Sequence, residues 1–153
     1  MESATHFSTV LVTWDGERRF DAGRPGGPTI RLDGNAITGP SPVDTLISAL
    51  ASCTAVDVVD ILAKRRTPLS ALSIDAVGTR AQTVPKRIVA VELTYHLTGE
   101  NVERSHAERA VELAITKYCS VRDSLDPALP IRYTVILNET VGASILAGST
   151  ASV

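Results

Sequence analysis

Two cysteines, Cys53 and Cys119, have the most distinctive chemistry in this 153-residue chain. Cys53 lies in the middle of a long apolar stretch, whereas Cys119 lies between two predicted helices. If the two sulfurs meet, one thiolate can attack the O–O bond of a peroxide and become a sulfenic acid. The second thiol can then condense with it to a disulfide, which a dithiol reduces. The alternative for each cysteine is that it is a small buried side chain without chemistry.

The net charge and the positions of the histidines argue against two other classes of function, nucleic-acid binding and metal binding. The formal net charge is −2, which argues against nucleic-acid binding because such proteins usually carry a clearly basic face. His6, His96 and His106 are far apart and none stands at ligand spacing from a cysteine, so we expect no metal. No segment with the pattern of a secretory signal opens the sequence. We therefore expect a cytoplasmic protein with reduced thiols.

Residues 45–63 form an apolar run that is long enough to suggest a membrane span. Asp57 and Asp60 lie within it, and two carboxylates near the centre of a span would be costly in lipid. We interpret the run as a core helix and expect no membrane association.

The ends of this helix have clear signals. Ser41 and Asp44 predict a capping box, and Pro42 suits the first helical position. The basic residues at 64–66 suit a C-terminus, and Pro68 prevents much continuation. The apolar residues between these ends cover more than one stripe, which predicts a largely buried helix.

The rest of the chain predicts short strands and a second helix. Alternating apolar residues indicate strands at residues 7–14, 18–22, 29–32, 72–83, 88–98 and 131–137. A capping-box pattern at residues 105–108 begins a helix that ends at Cys119, and residues 120–123 predict a short helix. Strands and helices do not alternate strictly, so we predict an α+β fold with a mainly antiparallel sheet. We expect one domain over residues 1–140 and a flexible tail over residues 141–153.

Three motifs carry a resemblance to a known family. They are GPSPVD at residues 39–44, ALASC at residues 49–53 and KYCSV at residues 117–121. Together and in this order they resemble the OsmC/Ohr family of hydroperoxide reductases. The run VDVVDIL at residues 56–62, with the KYCSV run, is most similar to the YhfA-like branch of that family. The resemblance covers roughly residues 7–138.

The resemblance implies a fold, an assembly and a reaction. Members form intertwined homodimers in which a strongly curved antiparallel sheet wraps around two long central helices, with sites at the dimer interface. The first cysteine is peroxidatic and the second resolves, which corresponds to Cys53 and Cys119 here. The implied substrates are organic hydroperoxides, and the reductant is a cellular dithiol, in some members a lipoylated protein. The implied reaction uses no metal, haem or flavin.

The resemblance also implies an arginine that holds the thiolate and polarises the peroxide. Arg31 corresponds best to it, with Arg18 and Arg19 as alternatives. A family glutamate would stand at the position of Val43, and an acid, Asp44, follows one residue later. We therefore assign Asp44 as the supporting carboxylate of the site, with a role confined to the helix N-cap as the alternative.

Asp57 is a second departure from the family pattern. It lies four residues after Cys53 on the same helix face, and its charge disfavours a thiolate beside it. With Val43 at the glutamate position, it motivates a second hypothesis: a non-catalytic dimer that binds a small hydrophobic ligand in an interfacial pocket. A permanent disulfide between the cysteines is a third hypothesis, which a reducing cytoplasm disfavours.

Overall fold

A computed structural model gives the structure of the protein and describes residues 4–149. The elements in chain order are β1 (Leu11–Trp14), β2 (Arg19–Gly23), β3 (Thr29–Asp33), α1 (Pro42–Lys64), β4 (Ala71–Arg80), β5 (Ile88–Thr98), α2 (Arg104–Leu113), a π-helical segment (Ala114–Tyr118), α3 (Ser120–Asp123), β6 (Ile131–Leu137) and β7 (Thr140–Leu146). The predicted α+β class is confirmed. Where one domain was predicted over residues 1–140, the chain divides into two compact units with the boundary after Leu46.

The first unit contains a three-stranded antiparallel sheet in the order β1–β2–β3. Its first hairpin turns at Asp15 and Gly16, and Trp14 pairs with Phe20 across the turn. Gly16 and Glu17 have positive φ angles of 82° and 51°. Tight hairpin turns require this backbone conformation because its twist matches that of the flanking strands.

Asp33 organises the loop between β3 and α1. Its buried carboxylate accepts hydrogen bonds from the backbone N–H groups of Thr38 at 3.0 Å and Asn35 at 2.8 Å. These bonds stabilise the charged form and lower the pKa of Asp33 to about 2. A Cβ on Gly39 would lie 2.4 Å from the carbonyl oxygen of Arg31. Glycine is therefore needed for the loop to pass so close to β3.

The N-terminus of α1 has the predicted capping box. The backbone N–H of Asp44 donates to Ser41 Oγ at 3.1 Å, and the backbone N–H of Ser41 donates to Asp44 Oδ2 at 3.0 Å. This reciprocal pair satisfies two of the backbone donors that every helix start leaves open. The N-cap role of Asp44 is confirmed.

Helix α1 is less buried than predicted. Its buried residues form one stripe: Leu50, Ala51, Thr54, Val58 and Leu62. Val56 and Val59, on another side of the helix, are 62% and 44% exposed. By length and composition alone α1 could also cross a membrane, a property that it shares with the core helices of many globular proteins. One apolar stripe of α1 thus packs on the chain itself and a second stripe is left uncovered.

The second unit contains a four-stranded sheet in the order β4–β5–β6–β7. Strands β5 and β6 pair in parallel, whereas the neighbouring pairings are antiparallel, because the crossover through α2 and α3 returns the chain in the same direction. One face of β5 is buried at Val91, Leu93, Tyr95 and Leu97. These side chains join the buried faces of α1, α2 and β6 in one hydrophobic core.

The predicted capping box at the start of α2 is wrong. The N-cap is Glu103, two residues before Ser105; it forms no side-chain capping bond, and the helix begins at Arg104. Ser105 therefore lies inside the first turn. The carboxylate of Glu108 pairs with Arg104 Nη1 at 3.1 Å, so it does not reach back to the N-cap.

The predicted flexible tail is wrong over residues 141–146. This stretch belongs to β7, which pairs with β6 along a ladder that includes Tyr133 and Ile145. Its small residues give a weak side-chain pattern, yet the edge of β6 supplies partners for its backbone N–H and C=O groups. Residues 150–153 of the predicted tail lie outside the described residues.

Candidate active site

Cys119 is positioned by a change in helix type. After α2 the chain forms one π-helical turn, in which the backbone N–H of Cys119 donates to the carbonyl of Ala114 at 2.9 Å. The extra residue in this turn leaves Tyr118 50% exposed, whereas Cys119 is 3% exposed. Single π-turns inside helices occur frequently at functional sites.

Cys119 is also the N-cap of α3. Its Sγ accepts a hydrogen bond from the backbone N–H of Arg122 at 3.2 Å. The prediction that a second short helix follows Cys119 is confirmed. The cysteine itself caps this helix.

Cys53 is positioned by its neighbour Thr54, which sequence reasoning missed. Thr54 is fully buried and gives its hydroxyl proton to the carbonyl of Ala51 at 2.8 Å. The hydroxyl of buried Tyr95 therefore donates to Thr54 Oγ1, at 2.8 Å. This bond joins α1 to β5 one residue from Cys53. A threonine inside an apolar helix is the sequence signal that could have indicated it, because buried hydroxyls need partners.

The side chains of the two cysteines lie next to each other. The Cys53 and Cys119 side chains are within hydrogen-bonding reach of each other, and both are free thiols. Cys53 is partly buried, whereas Cys119 is buried and belongs to the hydrophobic core against which Cys53 packs. A partly exposed thiol with a second thiol beside it can be oxidised to a sulfenic acid and then condense with its neighbour to a disulfide.

Burial affects the pKa of Cys119 more than its position at a helix start does. Burial raises the pKa of the Cys119 thiol to about 11, and this outweighs the lowering effect of the Arg122 N–H. The neighbouring Cys53 thiol raises the pKa of Cys119 further. Cys119 therefore keeps its proton at neutral pH and can donate an S–H hydrogen bond to Cys53.

The three candidate arginines belong to the first unit. Arg31 Nε donates to Asp21 Oδ1 at 2.7 Å, and its Nη2 donates to Asp15 Oδ2 at 2.8 Å. The bond to Asp21 raises the pKa of the Arg31 guanidinium, so Arg31 is a permanent cation held in one orientation. Arg19 forms an ion pair with Glu17 at 3.7 Å, and the backbone carbonyl of Arg18 accepts from Gly34 N at 2.9 Å.

The pairing of one of these cations with the thiols stays a prediction, because Cys53 and Cys119 lie in the second unit. The same holds for Asp44 as a supporting carboxylate. Its side chain is engaged in the cap of α1, which is the alternative that the sequence left open.

A groove runs along the helix stripe that begins at Cys53. Its volume is about 470 Å³, and it is lined by Asp57, Asp60, Ile61, Lys64, Arg65, Leu113 and Tyr118. The α1 residues 57, 60, 61 and 64 follow Cys53 at helical spacing on one face, and Tyr118 adjoins Cys119 in the chain. The predicted placement of Asp57 one turn from Cys53 is consistent with this lining. The groove combines apolar walls with charges of both signs.

Across residues 4–149, no group of three or more histidine, cysteine or acidic side chains is arranged to hold a metal ion. His96 is paired with Asp75 at 2.8 Å and His106 with Glu103 at 3.6 Å. The reactive groups that the described residues bring together are therefore the two sulfurs.

Comparisons with known proteins give one consistent picture. The sequence model of the family described as "OsmC-like protein" matches residues 33–134. Protein YhfA of Escherichia coli strain K12 is 31% identical over 124 residues, which are 80% of this chain and 92% of that protein. The crystal structure of a hypothetical protein from Aquifex aeolicus VF5 has a TM-score of 0.78 at 28% identity, over 88% of this chain and 98% of its own.

A more distant structure has the same fold. The organic hydroperoxide resistance protein OhrB of Bacillus subtilis has a TM-score of 0.57 at 14% identity, over 84% of this chain and 98% of its own. At this identity the likeness concerns the fold alone. The fold that the sequence motifs implied is confirmed.

Proposed function

The chain belongs to the OsmC-like family, and on this premise we propose that it is a thiol peroxidase that reduces organic hydroperoxides. Cys53 is the peroxidatic cysteine and Cys119 is the resolving cysteine. The observation that carries the proposal is the contact between a partly accessible thiol and a buried one. The reaction needs no cofactor, and we place it in the cytoplasm, where dithiols are available as reductants.

The first step is attack by the Cys53 thiolate on the terminal oxygen of the hydroperoxide. An S–O bond forms and the O–O bond breaks, so the sulfur loses two electrons and the peroxide gains them. The leaving alkoxide takes a proton and departs as the alcohol. Cys119 stays protonated during this step, since burial raises its pKa to about 11, and its S–H can stabilise the thiolate beside it.

The second step closes the disulfide. Cys119 loses its proton and attacks the sulfenic sulfur of Cys53, so that an S–S bond forms and hydroxide leaves as water. An external dithiol then returns two electrons and two protons by thiol–disulfide exchange. The hydrogen bond between Tyr95 and Thr54 supports this step because it keeps α1 in the orientation that points Cys53 at Cys119.

The remaining parts of the site are assigned by family resemblance. Proteins of this family are generally homodimers, and we propose the same assembly for this chain. Arg31 is the proposed cation that polarises the peroxide, and its fixed pairing with Asp21 supports this role because it pre-orients the guanidinium. The groove that begins at Asp57, one helical turn beyond Cys53, would receive the organic part of the substrate against Ile61 and Leu113.

Intact-mass measurement after brief treatment of the reduced protein with cumene hydroperoxide tests the proposal. We expect the wild type to lose two hydrogens, Cys119→Ser to gain one oxygen as a sulfenic acid, and Cys53→Ser to keep its mass. Full peroxide turnover by Cys53→Ser with a dithiol would refute the assignment. Unchanged mass in all three proteins would favour the non-catalytic alternative, which stabilisation by an apolar ligand would then test.

A further inference from the structure

A cleft separate from the thiol pair lies between α2 and the β6–β7 edge of the second unit. Its volume is about 490 Å³, within the usual range for small-molecule sites. One wall is the polar face of α2, with Glu108, Arg109 and Glu112. The opposite wall is formed by Tyr133 on β6 and by Ile145 and Leu146 on β7.

Tyr133 presents an unsatisfied hydroxyl to this cleft. The residue is 4% exposed and lines the cleft, yet its hydroxyl forms no hydrogen bond with any residue between 4 and 149. This contrasts with the other buried tyrosine of the sheet, Tyr95, whose hydroxyl is bonded to Thr54. The Tyr133 hydroxyl is therefore available to a ligand.

Two carboxylates, Glu108 and Glu112, line the cleft with Tyr133 and are held in place by arginines. Glu108 Oε1 accepts from Arg104, whose guanidinium is itself anchored to the backbone carbonyls of Val135 and Thr140. Glu112 Oε2 pairs with Arg109 at 2.6 Å, on the exposed rim. Each pair uses one carboxylate oxygen, which leaves the other oxygen as an acceptor.

The electrostatic potential at the Tyr133 hydroxyl favours a cation. Burial raises the pKa of Tyr133, and the charges of Glu112 and Glu108 raise it further, whereas the opposing effect of Arg109 is the smallest of the four. The neighbouring charges therefore make this position negative overall. The tyrosine stays neutral, so it can accept a hydrogen bond from a positively charged donor.

We propose that this cleft binds the ammonium group of a primary alkylamine, which donates hydrogen bonds to Tyr133 Oη, Glu108 and Glu112. An ammonium group has three N–H donors, and the cleft offers three acceptors on two facing walls. The alkyl stem of the ligand lies against Ile145 and Leu146. The same chemistry is found in a free small amine and in a lysine side chain of a peptide, and the test separates these sources.

The test is a titration of the ¹⁵N-labelled full chain, followed by NMR at constant ionic strength. The probes are n-butylammonium, a blocked peptide with one lysine, and tetramethylammonium, which has the same charge without N–H donors. We expect saturable shifts at residues that line the cleft with the first two probes and none with the third. The tighter of the first two identifies the source of the natural ligand.

Variants make the test specific to the cleft. Tyr133→Phe and Glu112→Gln should each weaken binding about tenfold, the expected effect of losing one hydrogen bond to a charged group. Glu103→Gln, on an exposed residue at the end of the same helix, should leave the affinity unchanged. Tyr133→Phe removes a hydroxyl without a partner, so the fold should tolerate it. Equal affinity in all four proteins, binding of tetramethylammonium, or no saturable shift with either amine would overturn the proposal.

Discussion

The two thiols differ in how reagents can reach them. Cys53 is partly buried, whereas Cys119 is 3% exposed and protonated at neutral pH because burial raises its pKa to about 11. The thiolate is the reactive form, so iodoacetamide should modify Cys53 at least about tenfold faster than Cys119. Peptide mass spectrometry over a time course measures both rates. The rates should converge in denaturant, and faster modification of Cys119 in the folded protein would contradict the assignment.

Cys119 also makes the stability of the protein depend on alkaline pH. Its folded-state pKa lies above the usual value, so its contribution to stability is fully present below about pH 9 and is lost as the pH rises through about 11. We expect the free energy of unfolding to fall by roughly 1–2 kcal/mol more in the wild type than in Cys119→Ala over this interval. Urea unfolding under reducing conditions measures it. Tyr95 and Tyr133 are present in both proteins, so the effect of their titration cancels in the comparison. If the free energy of unfolding fell equally with pH in both proteins, Cys119 would not be a buried protonated thiol.

At the scale of residues, the sequence indicated that the two cysteines are the candidate reactive groups. It did not indicate how deeply each one is buried. Composition and spacing cannot separate a thiol at an exposed helix start from one in a core, because both follow a helix break. The structure places Cys119 in the core, and desolvation there exceeds the effect of the Arg122 N–H. Thr54 and Tyr95 were missed since their bond spans residues that are distant in sequence.

At the scale of elements, the Tyr95–Thr54 bond is expected to control how α1 presents Cys53. Tyr95→Phe keeps the ring and removes one buried hydrogen bond, so the free energy of unfolding should fall by about 1 kcal/mol. Disulfide formation after peroxide treatment should slow, because α1 is then free to rotate about its axis. Denaturant unfolding and intact-mass kinetics measure the two effects.

Tyr133→Phe is the matched control for this prediction. It removes a hydroxyl from the same sheet that bonds to none of the described residues, so stability should change by less than about 0.5 kcal/mol. If Tyr95→Phe were as neutral as this control in both measurements, α1 would be positioned by apolar packing alone.

Elements whose own residues have a strong apolar periodicity or a capping motif could be predicted from the sequence. An element that depends on hydrogen bonding to a neighbouring strand could not. Strand β5 and the capping box of α1 follow from local patterns. Strand β7 depends on an edge that β6 provides, so its small residues carry little signal of their own. The π-turn before Cys119 could not be predicted either, because it adds one residue to a segment whose apolar pattern remains typical of an α-helix.

At the scale of the whole molecule, exposed apolar residues suggest an unfilled partner surface on each unit. In the first unit Leu11, Val12 and Trp14 of β1 are between 55% and 66% exposed. In the second unit Val56 and Val59 expose the uncovered stripe of α1. Contiguous apolar surface of this kind marks protein–protein contacts more often than free surface. This explains why α1 has the composition of a core helix while one chain alone buries only one of its sides.

We therefore expect the protein to be a dimer in solution that depends on the uncovered stripe of α1. The double substitution Val56→Asp and Val59→Asp would place two charges on each copy of this stripe, and burying them unpaired is costly. Sedimentation equilibrium should find twice the chain mass for the wild type and the mass of one chain for the variant. The control is Val84→Asp in the loop before Pro85, where Val84 is 87% exposed, and it should remain a dimer. A monomeric wild type, or a double variant that stays dimeric, would show that α1 does not form the interface.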